Sequence, residues 1–223
     1  MKIKVGTCGW GFFRPARFTP KKKFSSNLQA YSSLFSLVEV NSTFYRIPKV
    51  KTAERWRKEV SREFEFTVKC SKIVTHEDRF SSRRSIEAFE RIEEVAKVLK
   101  AKIILLQTPA SFKPTTTNIR NLKSFLSTID SKFLIAWEPR GNWDDKIIKE
   151  ICEEFNLIHC VDPFRHNAQY FSKKIAYFRL HGLGKPMMYR YKFSDGELAD
   201  LKNIVNKLKV KTVYVLFNNV YMY

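Results

Sequence analysis

Short runs of apolar residues recur eight times along the chain, separated mostly by stretches with the spacing of amphipathic helices. The runs carry Val, Ile and Phe at consecutive positions, a pattern typical of parallel strands buried on both faces. We therefore expect eight buried strands. They are predicted at residues 3–8, 37–41, 64–69, 102–108, 133–138, 157–161, 175–180 and 212–217.

The intervening stretches predict helices, because apolar residues recur three to four positions apart and Ser, Asn or Asp opens several stretches as an N-cap. The predicted helices are residues 25–35, 53–60, 82–99, 118–129, 144–155 and 194–208. This alternation indicates an α/β fold, a parallel eight-stranded (β/α)8 TIM barrel forming one domain over residues 1–223. Residues 162–171 have room for about two helical turns. We therefore expect a short sixth helix, and a last helix that is truncated or absent.

Polar side chains gather at the C-terminal ends of the predicted strands, where barrel enzymes carry their catalytic groups. Residues two positions apart share one face of a strand, so four strand ends each present a polar pair. These pairs are Glu39 with Asn41, Thr67 with Lys69, Glu138 with Arg140, and Arg179 with His181. Gln107, Asp162, Asn218 and Asn219 end three further strands. The working site is expected at this end of the barrel.

The charges at these strand ends allow two interpretations. Glu39, Lys69, Glu138 and Arg179 could neutralise one another as a buried ion network without any chemistry. Arg140, His76 and His181 stand outside that balanced set and make the barrel mouth positive. An anion such as a phosphate or a carboxylate would complete them, so we expect an anionic ligand.

A divalent metal ion is the cofactor for which the sequence offers ligands. Glu138, Asp162 and His181 end three consecutive strands and supply oxygen and nitrogen donors. No local spacing motif accompanies them, and an acid or a histidine at a strand end also serves as a hydrogen-bonding or proton-transfer group. Both interpretations of these three residues stay open.

Two loops that leave the same face alternate aromatic and basic residues, a composition that suits single-stranded nucleic acid. The alternative is that the rings pack the loops onto the barrel. After the first strand come Trp10, Phe12, Phe13, Arg14, Arg17, Phe18, Lys21, Lys22, Lys23 and Phe24. After the seventh come Tyr189, Arg190, Tyr191, Lys192 and Phe193.

The composition narrows the classes of partner. With 41 Lys and Arg against 22 Asp and Glu, the formal charge is +19, which favours an anionic small molecule or a nucleic acid. Heat adaptation through surface lysines is the alternative explanation. No apolar segment approaches the roughly 20 residues that cross a bilayer, and no secretory leader is evident, so we expect a cytoplasmic protein without membrane contact.

The four cysteines are scattered without a Cys-x-x-Cys pair, which predicts free thiols rather than a zinc site or a disulfide framework. Cys8 and Cys70 lie near predicted strand ends, but a nucleophilic thiol needs an activating base. Buried, inert cysteines are therefore the favoured interpretation.

Seven segments carry a recognisable set of motifs. They are GTCGW at residues 6–10, VEVNSTFYRIP at 38–48, FTVKCSKIVTH at 66–76, ILLQTPASF at 104–112, AWEPRGNW at 136–143, YFRLHG at 177–182 and VLFNN at 215–219. In order and combination they resemble the domain-of-unknown-function 72, or YecE-like, family over essentially the whole chain. The resemblance implies a TIM barrel and says little about the reaction.

The resemblance also implies which polar positions belong to the family's motifs. These are Asn41, Tyr45, Lys69, His76, Gln107, Glu138, Arg140, Trp143, Arg179, His181 and Asn218. Two departures stand out: Cys8 occupies a position where the family often has Ser, and the usual segment after the Asn pair is missing. The first weakens a nucleophilic role for Cys8, and the second leaves the eighth helix in doubt.

Our leading hypothesis is a hydrolase acting on a phosphoester, with single-stranded nucleic acid as one candidate substrate. Arg140, Arg179 and Lys69 would hold the phosphate. Glu138 would be the general base or a metal ligand, and His181 or His76 the general acid. Further substrate contacts are expected from Asn41, Tyr45, Gln107, Trp10, Trp143 and Asn218.

Two alternatives come from other classes of protein. One is a nucleic-acid-binding barrel without chemistry, whose binding would weaken steeply with salt. The other is a lyase or isomerase of a small sugar or carboxylate, in which Lys69 and Glu138 move protons and a small anion competes for the site.

Overall fold

The computed structural model describes residues 1–14, 17, 23–184 and 188–221. Eight parallel strands follow one another in chain order and close into a barrel through the pairing of the first with the last. The strands are β1 (Lys2–Cys8), β2 (Leu37–Val40), β3 (Glu65–Lys69), β4 (Ile103–Gln107), β5 (Leu134–Glu138), β6 (Ile158–Val161), β7 (Ile175–Leu180) and β8 (Thr212–Phe217). The predicted (β/α)8 TIM barrel is confirmed.

Six helices of the described residues pack around the strands. They are α1 (Asn27–Ser32), α2 (Val50–Lys58), α3 (Arg83–Leu99), α4 (Thr116–Thr128), α5 (Asp145–Glu154) and α6 (Asp195–Asn206). Ser26, Thr115, Asp144 and Ser194 cap four of them, each side chain accepting a backbone N–H of the first turn. The sequence-based helices overlap all six, with ends that differ by a few residues.

The chain departs from regular helices in three connections. A 3₁₀ turn at Ser42–Phe44 follows β2, and a π-helical turn at Ile73–Glu77 follows β3. Between β6 and β7 the expected short sixth helix is only a 3₁₀ turn at Ser172–Lys174. Among residues 218–221, the described part of the chain after β8, no helix forms.

The inner and outer strand faces build separate apolar layers. Inside the barrel lie Cys8, Leu37, Ile103, Leu105, Ala136, Ile158, Cys160, Tyr177, Tyr214 and Leu216. β1 and β2 approach so closely that a Cβ at Gly6 would lie 2.1 Å from the carbonyl oxygen of Leu37. A side chain at Gly6 would therefore push these two strands apart.

An ion cluster closes the opposite, N-terminal end of the barrel. Glu65 accepts hydrogen bonds from Lys4 and Tyr214, and its carboxylate lies 3.3 Å from the ammonium of Lys102. Burial opposes ionisation of Glu65, but these neighbours hold its pKa below the ordinary value. The pairing of the buried Glu65 carboxylate at this end favours a structural role, as expected for the N-terminal face of such barrels. In the described part of the chain, no helix has the length and apolar character needed to cross a membrane.

Candidate active site

The floor of the C-terminal mouth is a pair of oppositely charged residues from β7 and β2. Arg179 donates to Glu39 through Nε at 3.1 Å and through a terminal nitrogen at 2.9 Å, and neither side chain has exposed surface. The hydroxyl of Tyr177 donates to the same carboxylate at 2.9 Å and lies 2.8 Å from the hydroxyl of Thr67. Buried charges must be paired in this way, and Glu39 and Arg179 form part of the ion network that the sequence allowed, while Lys69 makes no ion pair with a described residue.

Glu138 at the end of β5 connects this floor to the surface. One carboxylate oxygen accepts from Arg179 at 2.5 Å, and the other accepts from Nε of Arg140 at 3.0 Å. Burial disfavours the charged form, but the nearby positive charges of Arg179 and Arg140 lower the pKa of Glu138 to about 2. Glu138 is therefore a fixed anion, and a carboxylate of that pKa is a weak base at pH 7.

A second acid holds the histidine at the end of β7. Oδ2 of Asp162 accepts the backbone N–H of His181 at 3.0 Å and lies 3.3 Å from Nδ1 of its ring. On the other side of the ring, Nε2 lies 2.5 Å from a terminal nitrogen of Arg140. Burial lowers the pKa of His181 below its ordinary value of 6.5, although Asp162 and Glu138 act in the opposite direction. Asp162 can only accept, so the neutral ring carries its proton on Nδ1 and a lone pair on Nε2.

Lys69 at the end of β3 faces the same mouth without an acidic partner. No carboxylate oxygen of the described residues lies within 4 Å of its ammonium, which sits 3.9 Å above the ring of Phe44. Burial and, next, the positive charge of Arg179 lower the pKa of Lys69 to about 8. The side chain is only 7% exposed and still positively charged at pH 7. Glu39 and Glu138 act on this charge only from a distance, so a buried cation without a direct carboxylate partner is available to an anion.

His76 lies on the far side of Phe44, whose ring meets it edge-on at 4.8 Å. Its Nδ1 is 2.8 Å from the hydroxyl of Thr75. Burial, followed by the charges of Lys69 and Arg140, lowers the pKa of His76 to about 4. The ring is neutral at pH 7, so it cannot contribute the positive charge that the sequence suggested.

The remaining residues expected to bind substrate fall into two groups. Asn41, Gln107 and Asn218 lie at the strand ends as predicted; Oδ1 of Asn41 is buried without a partner among the described residues, and Gln107 donates to the carbonyl of Thr108. Tyr45 lies on the rim with 71% of its surface exposed.

Trp143 and Trp10 instead belong to the packing of the barrel. Trp143 donates to the carbonyl of Phe112, and its ring meets Trp137 edge-on. Trp10 meets Trp56 of α2 edge-on at 5.2 Å. Aromatic rings held in this way stabilise the loops.

The aromatic and basic loops follow the same trend. Phe13 and Phe193 are buried, while Phe24 and Tyr191 pack partly buried against the core. Phe12 and Tyr189 remain exposed. Among the loop residues named from the sequence, Phe18, Lys21 and Lys22 lie outside the described part of the chain.

Tyr189 reaches the mouth itself. Its hydroxyl accepts from Arg140 at 3.3 Å, and its ring meets that of His181 edge-on at 5.7 Å. Tyr189 therefore lies against both Arg140 and His181.

The three candidate metal ligands lie close together, but they contact one another in a row and do not surround a common point. Oδ2 of Asp162 lies 3.3 Å from Nδ1 of His181, whose Nε2 is 3.6 Å from Oε1 of Glu138. Both oxygens of Glu138 are already bound by arginines. Among the described residues no group of three or more His, Cys, Asp or Glu is arranged to hold a metal ion. This donor set fits ion pairing better than metal ligation.

The cysteines are buried and unpaired with one another. Burial raises the pKa of the Cys8 thiol well above its ordinary value and that of the Cys70 thiol likewise. Both stay protonated at pH 7, so neither is an activated nucleophile.

A cavity of about 210 Å³ opens beside His181. Its walls come from the ends of β5 and β6, the start of β7–α6 and the first turns of α5, and include Glu138, Arg140, Trp143, Ile148, His159 and His181. The strand-end residues thus border a space that can hold a small molecule.

Sequence reasoning missed three residues of this region. Tyr177 is two positions before Arg179, so the face-sharing rule that found Arg179 also applies to it. Phe44 follows Asn41 in the same motif, but its position between Lys69 and His76 depends on the 3₁₀ turn. His159 alternates with Ile158 and Cys160, which face the barrel interior, so its position on β6 indicates a helix-facing side chain and gives no sign of the cavity there.

Fold and site together define a parallel (β/α)8 barrel with a network of ionised side chains at its C-terminal mouth. The chain belongs to the family described as "Protein of unknown function DUF72", whose family model matches residues 4–222. The resemblance read from its motifs is thus confirmed.

Individual relatives agree with this assignment. The chain is 27% identical to the UPF0759 protein YunF of Bacillus subtilis (strain 168), covering 97% of this chain and 88% of YunF. The UPF0759 protein YecE of Escherichia coli (strain K12) is 28% identical over 52% of this chain and 42% of YecE. The crystal structure of a DUF72 family protein from Thermotoga maritima MSB8 superimposes with a TM-score of 0.81 at 27% identity, covering 99% of this chain and 94% of that chain.

Proposed function

We propose that this protein is a hydrolase that cleaves a phosphoester at the C-terminal mouth of the barrel. The observation that carries the proposal is the line Asp162–His181–Arg140, in which a carboxylate orients a neutral imidazole beside a cation. A base of this kind next to an anion-binding group is what attack of water on a phosphate ester requires.

His181 is the proposed proton-transfer group. Asp162 fixes the tautomer, so the lone pair of Nε2 points towards Arg140 and the open side of the mouth. When a ligand draws Arg140 away from this nitrogen, Nε2 can accept a proton from water. The carboxylate of Asp162 then stabilises the imidazolium that forms.

Arg140 and Lys69 are the proposed anion-binding pair. The side chain of Arg140 is 24% exposed, and its fork can donate two hydrogen bonds to one phosphate. Lys69 adds a cation that no described carboxylate neutralises within 4 Å. Arg179, assigned to the phosphate from sequence, has no exposed surface and all three of its nitrogens donate to Glu39 and Glu138.

The sequence suggested Glu138 as the general base, but we propose it as a residue that positions Arg140. It binds Arg140 through one oxygen and Arg179 through the other. Its own pKa of about 2 makes proton abstraction unfavourable at pH 7.

The proposed reaction needs no group beyond water. The water oxygen forms a bond to phosphorus while the bond from phosphorus to the alcohol oxygen breaks. His181 Nε2 takes the proton from the attacking water and returns it to the leaving alcohol oxygen. Arg140 and Lys69 stabilise the negative charge of the phosphoryl oxygens, and the products are an alcohol and inorganic phosphate.

A lyase or isomerase of a small sugar or carboxylate is the second candidate, and Lys69 favours it. With a pKa of about 8, a fraction of this buried amine is neutral at pH 7 and can move a proton. This function predicts deuterium exchange from solvent into a carbon-bound position without phosphate release. Phosphate release without exchange supports hydrolysis instead.

Nucleic acid binding gains less support, because most of the described loop aromatics pack into the barrel. The buried, unpaired cysteines fit a reducing compartment and support the proposal of a cytoplasmic location.

The test is release of inorganic phosphate from a panel of phosphomonoesters, and cleavage of end-labelled single-stranded RNA and DNA, with manganese or with a chelator. We expect the wild type to release phosphate and His181→Gln to lose at least about 100-fold in kcat. Asp162→Asn should lose about 100- to 10,000-fold, with Asp130→Asn, an exposed acid, as its matched control. A His181→Gln variant with unchanged kcat would remove His181 from the mechanism.

A further inference from the structure

His159 is a buried histidine with one ring nitrogen unused. It lies on β6 with 3% of its surface exposed, and its Nδ1 accepts the backbone N–H of Gln169 at 3.0 Å. Burial lowers the pKa of His159 to about 4, so the ring is neutral at pH 7. Because Nδ1 accepts, the single ring proton sits on Nε2.

The Nε2–H group has no hydrogen-bond partner among the described residues, and the His159 side chain lines the cavity beside His181. Nε2 is not among the fully buried polar side-chain atoms of the described residues that lack a partner, so its N–H has surface open to the cavity. A ligand oxygen in this cavity can therefore accept a hydrogen bond from it.

The rest of the wall suits carbon atoms and a few hydroxyl groups. Trp143, Ile148 and Val161 provide apolar surface, while Asp145 and Arg165 add polar groups. A volume of about 210 Å³ lies below the range of roughly 300–1,000 Å³ that drug-sized ligands fill. The space therefore matches a small alcohol and is too small for a run of nucleotides.

We propose that this cavity is the binding site for the leaving-group part of a small phosphomonoester, a hydroxylated alcohol whose oxygen accepts a hydrogen bond from His159 Nε2. This inference rests on the proposed hydrolysis and names its substrate class: phosphomonoesters of small polyols or sugars. The phosphate lies by Arg140 and His181, and the hydroxylated carbon skeleton extends towards β6 and α5.

Two substitutions separate the donor from the structural role of the ring. Asn at position 159 places its amide oxygen near the Nδ1 position and keeps the bond to Gln169, but it has nothing at the Nε2 position. Gln at position 159 reaches the Nε2 position with an amide N–H and gives up the bond to Gln169. His159→Asn therefore tests the donor, and His159→Gln tests its rescue.

The experiment is calorimetric binding of glycerol phosphate, propyl phosphate and inorganic phosphate to the wild type and both variants. The two esters share a three-carbon skeleton and differ in their hydroxyls. We expect the wild type to bind glycerol phosphate about tenfold more tightly than propyl phosphate. His159→Asn should lose this preference and His159→Gln should retain part of it, while the affinity for inorganic phosphate stays the same in all three.

Equal affinity of the wild type for the two esters, or a preference that survives in His159→Asn, overturns the inference. So does a fall in phosphate affinity equal to the fall for glycerol phosphate, because the residue would then act on the site as a whole. Hydrolysis is measured separately: binding with the expected preference but no phosphate release would refute the proposed reaction and leave the binding site in place.

Discussion

Arg179 on β7 and Glu39 on β2 form a bidentate ion pair across the barrel, and both side chains are completely buried. The third nitrogen of Arg179 extends the pair to Glu138, which in turn holds the partly exposed Arg140. Through this network the buried Arg179 holds Glu138, and Glu138 holds the side chain of Arg140 at the mouth of the barrel. Glu138 thereby fixes the position of Arg140, the proposed anion-binding residue, from inside the barrel.

The first prediction concerns the stability contributed by Glu138. Its folded pKa is lowered from 4.5 to about 2, so its contribution is fully present above pH 4.5 and is lost as the pH falls towards 2. We expect Glu138→Gln to reduce the free energy of unfolding by about 3 kcal/mol at pH 7. Denaturant unfolding across that pH range measures the difference.

The exposed Glu150 of α5 supplies the control, because Glu150→Gln should leave the free energy of unfolding within about 0.5 kcal/mol of wild type. If the difference in free energy of unfolding between wild type and Glu138→Gln stayed constant from pH 5 to pH 2, the arginines would not lower the pKa of Glu138.

The second prediction concerns Lys69. Burial lowers its folded pKa to about 8 from 10.5, so the ammonium destabilises the fold at pH 7. We expect Lys69→Met to raise the free energy of unfolding by about 1–3 kcal/mol at pH 7 and to weaken phosphate binding about tenfold. The unfolded state holds its proton up to pH 10.5, so the advantage of Lys69→Met should shrink between pH 8 and 10.5.

Unfolding and phosphate titrations on the same samples decide this point. A Lys69→Met protein that is less stable and binds phosphate normally would make Lys69 a structural residue.

The third prediction concerns the pH dependence of the reaction. His181 is active as the neutral ring, and burial places its pKa below 6.5, so kcat should fall only as the pH drops below that value. The Asp162 carboxylate raises the pKa of His181, so Asp162→Asn should move the fall to lower pH as well as reduce kcat. A pH–rate profile of both proteins measures the shift, and an acid limb at the same pH in both would separate Asp162 from His181.

The fourth prediction concerns the shape of the anion-binding group. Arg140 uses its nitrogens on Glu138, His181 and Tyr189 at once, which the single ammonium of lysine cannot do. We expect Arg140→Lys to weaken inorganic phosphate binding about tenfold in calorimetry. Arg120→Lys, on the exposed face of α4, should bind like wild type. Normal phosphate affinity in Arg140→Lys would place the anion elsewhere.

The strand ends could be predicted from the sequence because parallel strands tolerate few polar residues, so those present mark the mouth. Residues two positions apart share one face of a strand, and this alternation placed five residues together. They are Glu39, Lys69, Glu138, Arg179 and His181, and the structure confirms that they line one end of the barrel. Which carboxylate binds which cation could not be predicted. The contact of Arg179 with Glu39 crosses the barrel from β7 to β2 and depends on closure of the barrel. Roles assigned to Glu138 and Arg179 changed for that reason.

The cavity beside His159 shows a different limit. The outward parity of His159 gave no indication of an open space, since a helix normally covers that side of a strand. Here the β6–β7 connection forms only a 3₁₀ turn, and its residue Gln169 folds back onto the ring. Irregular connections of this kind have no periodic signal from which their path could be deduced.

The most direct test of the central claim is hydrolysis of glycerol phosphate in water labelled with heavy oxygen, followed by mass spectrometry of both products. Attack of water on phosphorus predicts that the label enters inorganic phosphate and not glycerol, at a rate that falls at least about 100-fold in His181→Gln. Label in glycerol, or phosphate release at the same rate in wild type and His181→Gln, would contradict a phosphoester hydrolase that uses His181.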